Sequence, residues 1–251
     1  YFPKIQRHGH LFRTAEELEG GELFRKMQSR PQTTFLSIND SRFLWSSKPA
    51  GSQAGYGFMF YGGNKQPEIS DDGNFRTRAL EELCWHNAEN ENDGYSKLGI
   101  LRMDVDNLGQ LFINGFPEHQ KSFAGYGTLS FQLDLFFSGY LNTIRNSQVY
   151  KDHVAILYSG GDDVFAVGRW DKVLGFALEV RQKFQRFVSR SDISISAGLA
   201  IVDRKYPIYK AAEIAGDAEK AAKNYKGSTI GLPNKNAITF FSETVSWERE
   251  F

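Results

Sequence analysis

Cysteine is nearly missing from this chain: Cys84 is the only one among 251 residues. A single thiol excludes an internal disulfide and any thiolate-rich zinc site. It also suits a reducing cytoplasm, the expected location. Long apolar runs are missing too, since no stretch approaches the roughly 20 residues that cross a bilayer, and no membrane partner is expected. Tyr1 to His10 lack the charged start and apolar stretch of a secretory leader. They also lack an initiator Met, and the chain reads as a fragment of a longer protein. Net charge is absent as well, because 30 Lys and Arg balance 30 Asp and Glu. With no global field to draw in nucleic acid, a nucleic-acid partner has to be argued from a local patch or from other subunits.

What the chain has in plenty is aromatic side chains, 21 Phe and 11 Tyr, which predict a core built on aromatic packing. Its length allows one substantial core, or one domain with a smaller appendage. Residues 1–96 are irregular in texture, with Gly-rich and polar stretches at 48–57 and 62–74. Short strands are predicted over Phe35–Ile38 and Tyr56–Tyr61, and helices over Thr14–Met27 and Thr77–Asn87. The polar run Glu89–Gly94 marks a linker, and the domain boundary is placed there.

From Lys97 the pattern becomes regular. Strands are predicted at Leu98–Val105, Val154–Tyr158, Val164–Gly168, Ile193–Val202 and Ala237–Phe241. Helical stripes run through Leu129–Ile144, Asp171–Val188 and Ile208–Lys226. The order β-α-β-β-α-β-α-β predicts an α+β fold: a ferredoxin-like palm with one extra helix and strand. Its sheet is expected to be antiparallel, with helices on one face. The palm is assigned to 97–241, with 1–96 as a smaller α+β segment leading into it.

The chemistry-bearing residues sit at two strand ends. Gly160 and Gly161 suit a tight hairpin between the second and third strands, and a bare turn lets a phosphate approach. Asp162 and Asp163 follow directly. At the end of the first strand stand Asp104, Asp106, Asn107 and Leu108. In ferredoxin-like order the first strand lies beside the hairpin, so Asp104, Asp162 and Asp163 should converge on one sheet edge. Crowded carboxylates repel each other unless a cation offsets the charge. Oxygen ligands of this kind suit Mg²⁺ or Mn²⁺, which also hold nucleotide phosphates. Asp106, Asn107 and Leu108 open a short helix whose free amides can bind a triphosphate. Either motif alone has a plainer use, Gly-Gly-Asp-Asp as a generic turn and Asp-Val-Asp-Asn as a helix cap. Lys220, Lys223 and Lys226 recur at every third position and form a positive ridge, which is ordinarily a solvated face.

Taken together, Leu98–Gly109, Leu129-Ser130, Phe136-Phe137, Ser159–Asp163, Ser194–Gly198 and Ala222-Lys223 resemble the large signature subunit of type III CRISPR effector complexes, of the Csm type. Phe75-Arg76 is similar to the stretch leading into that family's second palm. Trp247-Glu248 is similar to the start of its C-terminal helical domain, assigned to 242–251 and cut short. The resemblance implies polymerisation of ATP into cyclic oligoadenylates once target RNA is bound, within a complex of other subunits and guide RNA. It implies metal ligation by Asp104, Asp162 and Asp163, a nucleotide loop at Ser159 and Gly160, and a phosphate-binding Lys223.

Parts of that family's pattern are missing: the His-Asp pair of its nuclease domain, its first palm with a second ATP site, and its zinc-binding cysteines. His8 and His10 have no accompanying carboxylate motif and are assigned to a surface loop. With one ATP site, the chain alone is expected to be a poor synthase. One alternative is a diguanylate cyclase-like protein, against which Asp163 replaces Glu and Val164 precedes Phe165. The other is a palm-like scaffold that binds partner subunits or guide RNA without catalysis.

Overall fold

The computed structural model describes residues 34–38, 55–63, 66–71, 74–85, 95–226 and 234–248. The helix predicted over Thr14–Met27, His8, His10 and the linker Glu89–Gly94 lie outside the described residues. The chain divides into two compact units, Tyr1–Phe60 and Tyr61–Phe251. In the first, strands β1 (Thr34–Ile38) and β2 (Gly55–Met59) pair in parallel.

The second unit begins at Tyr61, well upstream of the run Glu89–Gly94 where the boundary was expected. A hairpin of β3 (Glu68–Asp71) and β4 (Asn74–Thr77) leads into a 3-10 helix, Leu80–Cys84. Of the helix predicted over Thr77–Asn87, this single turn is what the described residues contain. Glu82 holds it, accepting hydrogen bonds from both terminal nitrogens of Arg76 (2.7 and 2.6 Å) and from the Ala79 amide (2.6 Å). Leu83 and Cys84 are buried against Leu98 and Ile100 of the sheet. Burial pushes the Cys84 thiol up to about 12, so it stays protonated and serves as a small core side chain.

Six strands form the main sheet: β5 (Lys97–Val105), β6 (Val154–Gly160), β7 (Asp163–Arg169), β8 (Ile195–Asp203), β9 (Ala237–Phe240) and β10 (Glu243–Ser246). Their spatial order is β10-β9-β8-β5-β7-β6. The four strands β8-β5-β7-β6 are mutually antiparallel in the ferredoxin-like arrangement, with β5 near the centre. The sheet as a whole is mixed, because β9 joins β8 in parallel. A parallel neighbour needs a crossover, and the last long helix supplies it. Residues 243–246 form an edge strand rather than the start of a helix. Trp247 is buried behind it, its indole nitrogen donating to the Ile195 carbonyl at 2.9 Å.

Helices cover both faces, not one. Before β6 the chain forms α1 (Leu108–Asn114), α2 (Phe123–Asp134), a π-helical stretch (Leu135–Tyr140) and α3 (Leu141–Arg145). Helix α4 (Trp170–Val188) links β7 to β8, and α5 (Ile208–Lys223) links β8 to β9. Alternation along β5 sorts its side chains by face. Leu101, Met103 and Val105 point into an aromatic core with Phe136, Phe137, Phe176 and Phe184. Leu98 and Ile100 point the other way, toward Ala211 and Ala215 of α5. Arg102 and Asp104 share the parity of Leu98 and Ile100, so they emerge on the α5 side.

Helix α5 lies close against β8 because position 198 is glycine. A β-carbon there would stand 2.1 Å from the Glu219 amide nitrogen and 2.2 Å from the Ala215 carbonyl oxygen. Edge strand β6 is covered in turn by Gly62-Gly63. Gly63, at φ +75°, leaves a side chain no room against the Ile156 carbonyl. Its amide donates to Asn142 Oδ1 at 3.0 Å, and Gln66 Nε2 donates to the Ile156 carbonyl at the same distance. A segment that looked merely polar and Gly-rich thus packs along the strand leading to the hairpin.

Candidate functional site

The β6–β7 hairpin is as tight as a hairpin gets. Gly160 pairs with Asp163 and leaves Gly161-Asp162 as a two-residue loop. Gly161 has φ +65°, while Gly160 and Asp162 stay at negative φ, the pattern of a type II′ turn with glycine first. Both glycines were expected to matter, and Gly161 is the one whose backbone requires the residue type. No atom approaches within 4 Å of where its side chain would stand, so the tip is open to a ligand.

Register brings the acids together. Asp104 of β5 lies directly opposite Asp163 of β7, and the Val105 amide donates to the Asp162 carbonyl at 3.2 Å. Partial burial, then the charge of Asp104, raise the carboxyls of Asp162 and Asp163 above the ordinary range. The two acids also differ: Asp163 adds to the charge felt by Asp162, whereas Arg102 and the Tyr158 hydroxyl pull Asp163 back down. Tyr158 in turn is raised, chiefly by the charge of Asp163.

Lys223 reaches this group from the last turn of α5. Its ammonium lies 2.7 Å from Asp104 Oδ1 and 3.6 Å from Glu219 Oε1. The ridge foreseen on this helix is not a unit: Lys220 pairs with Asp217 at the surface, and Lys226 lies past the helix end. Glu219 and Arg102 went unnoticed in the sequence. Arg102 Nε stands 3.5 Å from Glu219 Oε2, and the Glu219 side chain is 11% exposed. Burial raises Glu219, with Lys223 and Arg102 opposing that rise. Two spacings carried the signal: Glu219 and Lys223 are four apart on a helix, and Arg102 is two before Asp104 on a strand.

Other expected nucleotide contacts are employed internally. Asp106 is 3% exposed, and its Oδ2 accepts from Ser194 Oγ (2.6 Å), Ser196 Oγ (3.0 Å) and the Asn236 amide (3.1 Å). It ties the end of β5 to the starts of β8 and β9, which accounts for Ser194 and Ser196 in the quoted motif. The Ser159 hydroxyl donates to the Phe137 carbonyl at 2.6 Å, facing the π-helical stretch and not the turn. Asn107 takes the left-handed conformation at the N-terminus of α1, where its Oδ1 accepts from Lys235 Nζ at 2.7 Å. Leu108 begins α1, whose first-turn amides have no acceptor within the helix.

Among the described residues, no three His, Cys, Asp or Glu side chains are gathered around a common point fit for an ion. The donor chemistry nevertheless fits a hard divalent cation. Asp162 and Asp163 are half-buried oxygen donors held above their ordinary pKa by burial and by a third carboxylate, and the nearest neutralising charge on Asp104 is Lys223. No helix among the described residues is long and apolar enough to cross a membrane.

Comparison with known proteins identifies the family of the fold. The family model described as Cas10/Cmr2, second palm domain, matches residues 97–238. The CRISPR system single-strand-specific deoxyribonuclease Cas10/Csm1 (subtype III-A) of Enterococcus italicus is 39% identical over 154 residues, covering 61% of this chain and 20% of that protein. The chain thus spans about a fifth of the length of the curated relatives it matches. Two crystal structures of a Csm1–Csm4 cassette are each 25% identical and cover 76% of this chain and 26% of theirs. The one in complex with pppApApA has a TM-score of 0.60, and the one in complex with cA3 has 0.59. This match over more than half of the chain decides against the diguanylate cyclase alternative. The chain belongs to the Cas10/Cmr2 second palm domain family.

Proposed function

We propose that this chain is the ATP-binding palm of a type III CRISPR large subunit, where metal-dependent nucleotidyl transfer makes cyclic oligoadenylate from ATP in antiviral defence. One observation carries the reading: Asp104 stands directly opposite Asp163 beside an open Gly-Gly-Asp-Asp turn, with the Lys223 ammonium 2.7 Å from Asp104. The complexes of similar cassettes with pppApApA and cA3 support adenylate as the ligand class.

In the proposed reaction the 3′-hydroxyl of one ATP attacks the α-phosphorus of another. A phosphorus–oxygen bond forms, the bond to the β-phosphate oxygen breaks, pyrophosphate leaves and the hydroxyl proton passes to water. Bound Mg²⁺ or Mn²⁺, held by Asp104, Asp162 and Asp163, would supply activation of the hydroxyl and neutralise phosphate charge. The chain's own contribution is binding and orientation. Lys223 and the first-turn amides of α1 would meet the triphosphate, and Gly161 leaves space for it at the turn. The Tyr158 hydroxyl favours the charged form of Asp163. Cyclisation needs two facing ATP molecules, so this palm supplies half of the site. A Csm4-type subunit, and guide and target RNA reached through the complex, are the proposed partners.

The test is product analysis of the full-length protein in its RNA-bound complex, incubated with ATP and Mg²⁺. Oligoadenylates should form, and the double variant Asp162→Asn/Asp163→Asn should abolish them. Undiminished product from that variant would refute the assignment.

A further inference from the structure

Glu219 is a buried acid that the proposed chemistry does not use. It sits one helical turn before Lys223, and Gly198 lets this part of α5 press directly onto β8. Its two oxygens are divided between cations: Oε2 lies 3.5 Å from Arg102 Nε and Oε1 lies 3.6 Å from Lys223 Nζ. The same ammonium is 2.7 Å from Asp104 Oδ1. At 3.6 Å the contact with Glu219 is longer than a hydrogen bond, whereas the contact with Asp104 is of full hydrogen-bond length. Lys223 is therefore seated on one carboxylate with a second within reach. Glycine at 216 keeps the far side open, since a β-carbon there would lie 3.0 Å from Arg102 Nη1. Arg102 can thus stay on Glu219 and hold that carboxylate in place.

We propose that Glu219 is the positioning residue for Lys223, the second seat to which the ammonium moves when a divalent cation takes Asp104. Lys223 on Asp104 acts as a placeholder charge. It prevents uncompensated repulsion across the Asp104–Asp163 pair, and it must leave before Asp104 can ligate an ion. Leaving costs the Lys223–Asp104 ion pair. A carboxylate already on the same helix returns part of that cost and keeps the ammonium at the rim, facing an incoming triphosphate. A carboxamide at 219 would take the second seat away, and cation binding would weaken because Lys223 holds on to Asp104.

The inference rests on Asp104, Asp162 and Asp163 being cation ligands, so the test is a cycle of Mn²⁺ affinities, measured by the electron paramagnetic resonance of free Mn²⁺ over the full chain. Glu219→Gln should weaken binding about two- to fivefold, the reach of one partly exposed ion pair. Lys223→Met, with no lysine to displace, should bind Mn²⁺ more tightly than the unaltered chain. Adding Glu219→Gln to Lys223→Met should then have a markedly smaller effect. Equal weakening by Glu219→Gln in both backgrounds, or none in either, would overturn the inference while leaving the cation site standing. Lys223→Met also decides by itself if Glu219→Gln fails to fold, because unchanged or weaker Mn²⁺ binding would contradict the placeholder role. If the unaltered chain takes up no Mn²⁺, or takes it up indifferently to Asp163→Asn, the cation-site reading fails and the inference falls with it.

Discussion

Replacing Asp163 by Asn should make the cation-free chain more stable and the cation-loaded chain less so. Asp163 faces Asp104 in register across β5 and β7. Directly opposed like charges destabilise an antiparallel pair, and cross-strand charge pairs are worth roughly 0.2–1 kcal/mol. Asn has the same shape and keeps an acceptor for the Tyr158 hydroxyl, so the change removes mainly charge. With about 0.5 kcal/mol gained and roughly 2–4 °C per kcal/mol for a chain of this length, Tm should rise about 1–2 °C near neutral pH. Mn²⁺ at a hundred times its Kd should stabilise the unaltered chain by about 2.7 kcal/mol, or about 5–10 °C. The variant should show only a small part of that rise. Thermal unfolding with and without Mn²⁺ measures both effects. A variant that is less stable without Mn²⁺ and equally stabilised by it would refute the reasoning.

Two further outcomes follow from the same geometry. Asp162, Asp163 and Glu219 all have raised carboxyls, so the folded state holds their protons more tightly than the unfolded chain. The stability this contributes is full below the ordinary carboxylate pKa and is lost as pH rises through the raised values. Denaturant titrations across pH should show the double variant Asp162→Asn/Asp163→Asn losing less stability than the parent over that rise; parallel curves would contradict the stated cause. Gly198→Ala places a methyl group against backbone atoms of α5 and should cost about 1–3 kcal/mol. Normal stability in this variant would contradict the close approach.

The pairing of Asp104 with Asp163 was legible in the sequence because both ends of the argument are local. A Gly-Gly-Asp-Asp turn fixes where β7 starts, an apolar run ending at Asp104 fixes where β5 stops, and ferredoxin-like order puts the two side by side. The roles of Arg102 and Glu219 were not legible, because they depend on which face α5 covers. That placement follows from a crossover to a parallel strand and from the missing side chain at Gly198, neither of which has a periodic signature. Asp106 and Ser159 misled for a related reason. Ser159 stands beside the turn in sequence and Asp106 stands two residues after Asp104, yet Asp106 is drawn inward by Ser194, Ser196 and Asn236. Ser159 is turned toward Phe137 after the register shift between Ile156 and Tyr158. At four residues each, β9 and β10 are too short for alternation to show which face they bury.

The most direct test is anomalous diffraction from crystals of the full chain grown with Mn²⁺ and ATP. The account predicts a manganese peak ligated by carboxylate oxygens of Asp104 and Asp163, with Lys223 moved off Asp104. A peak elsewhere, or none at this site with Lys223 still on Asp104, would contradict it.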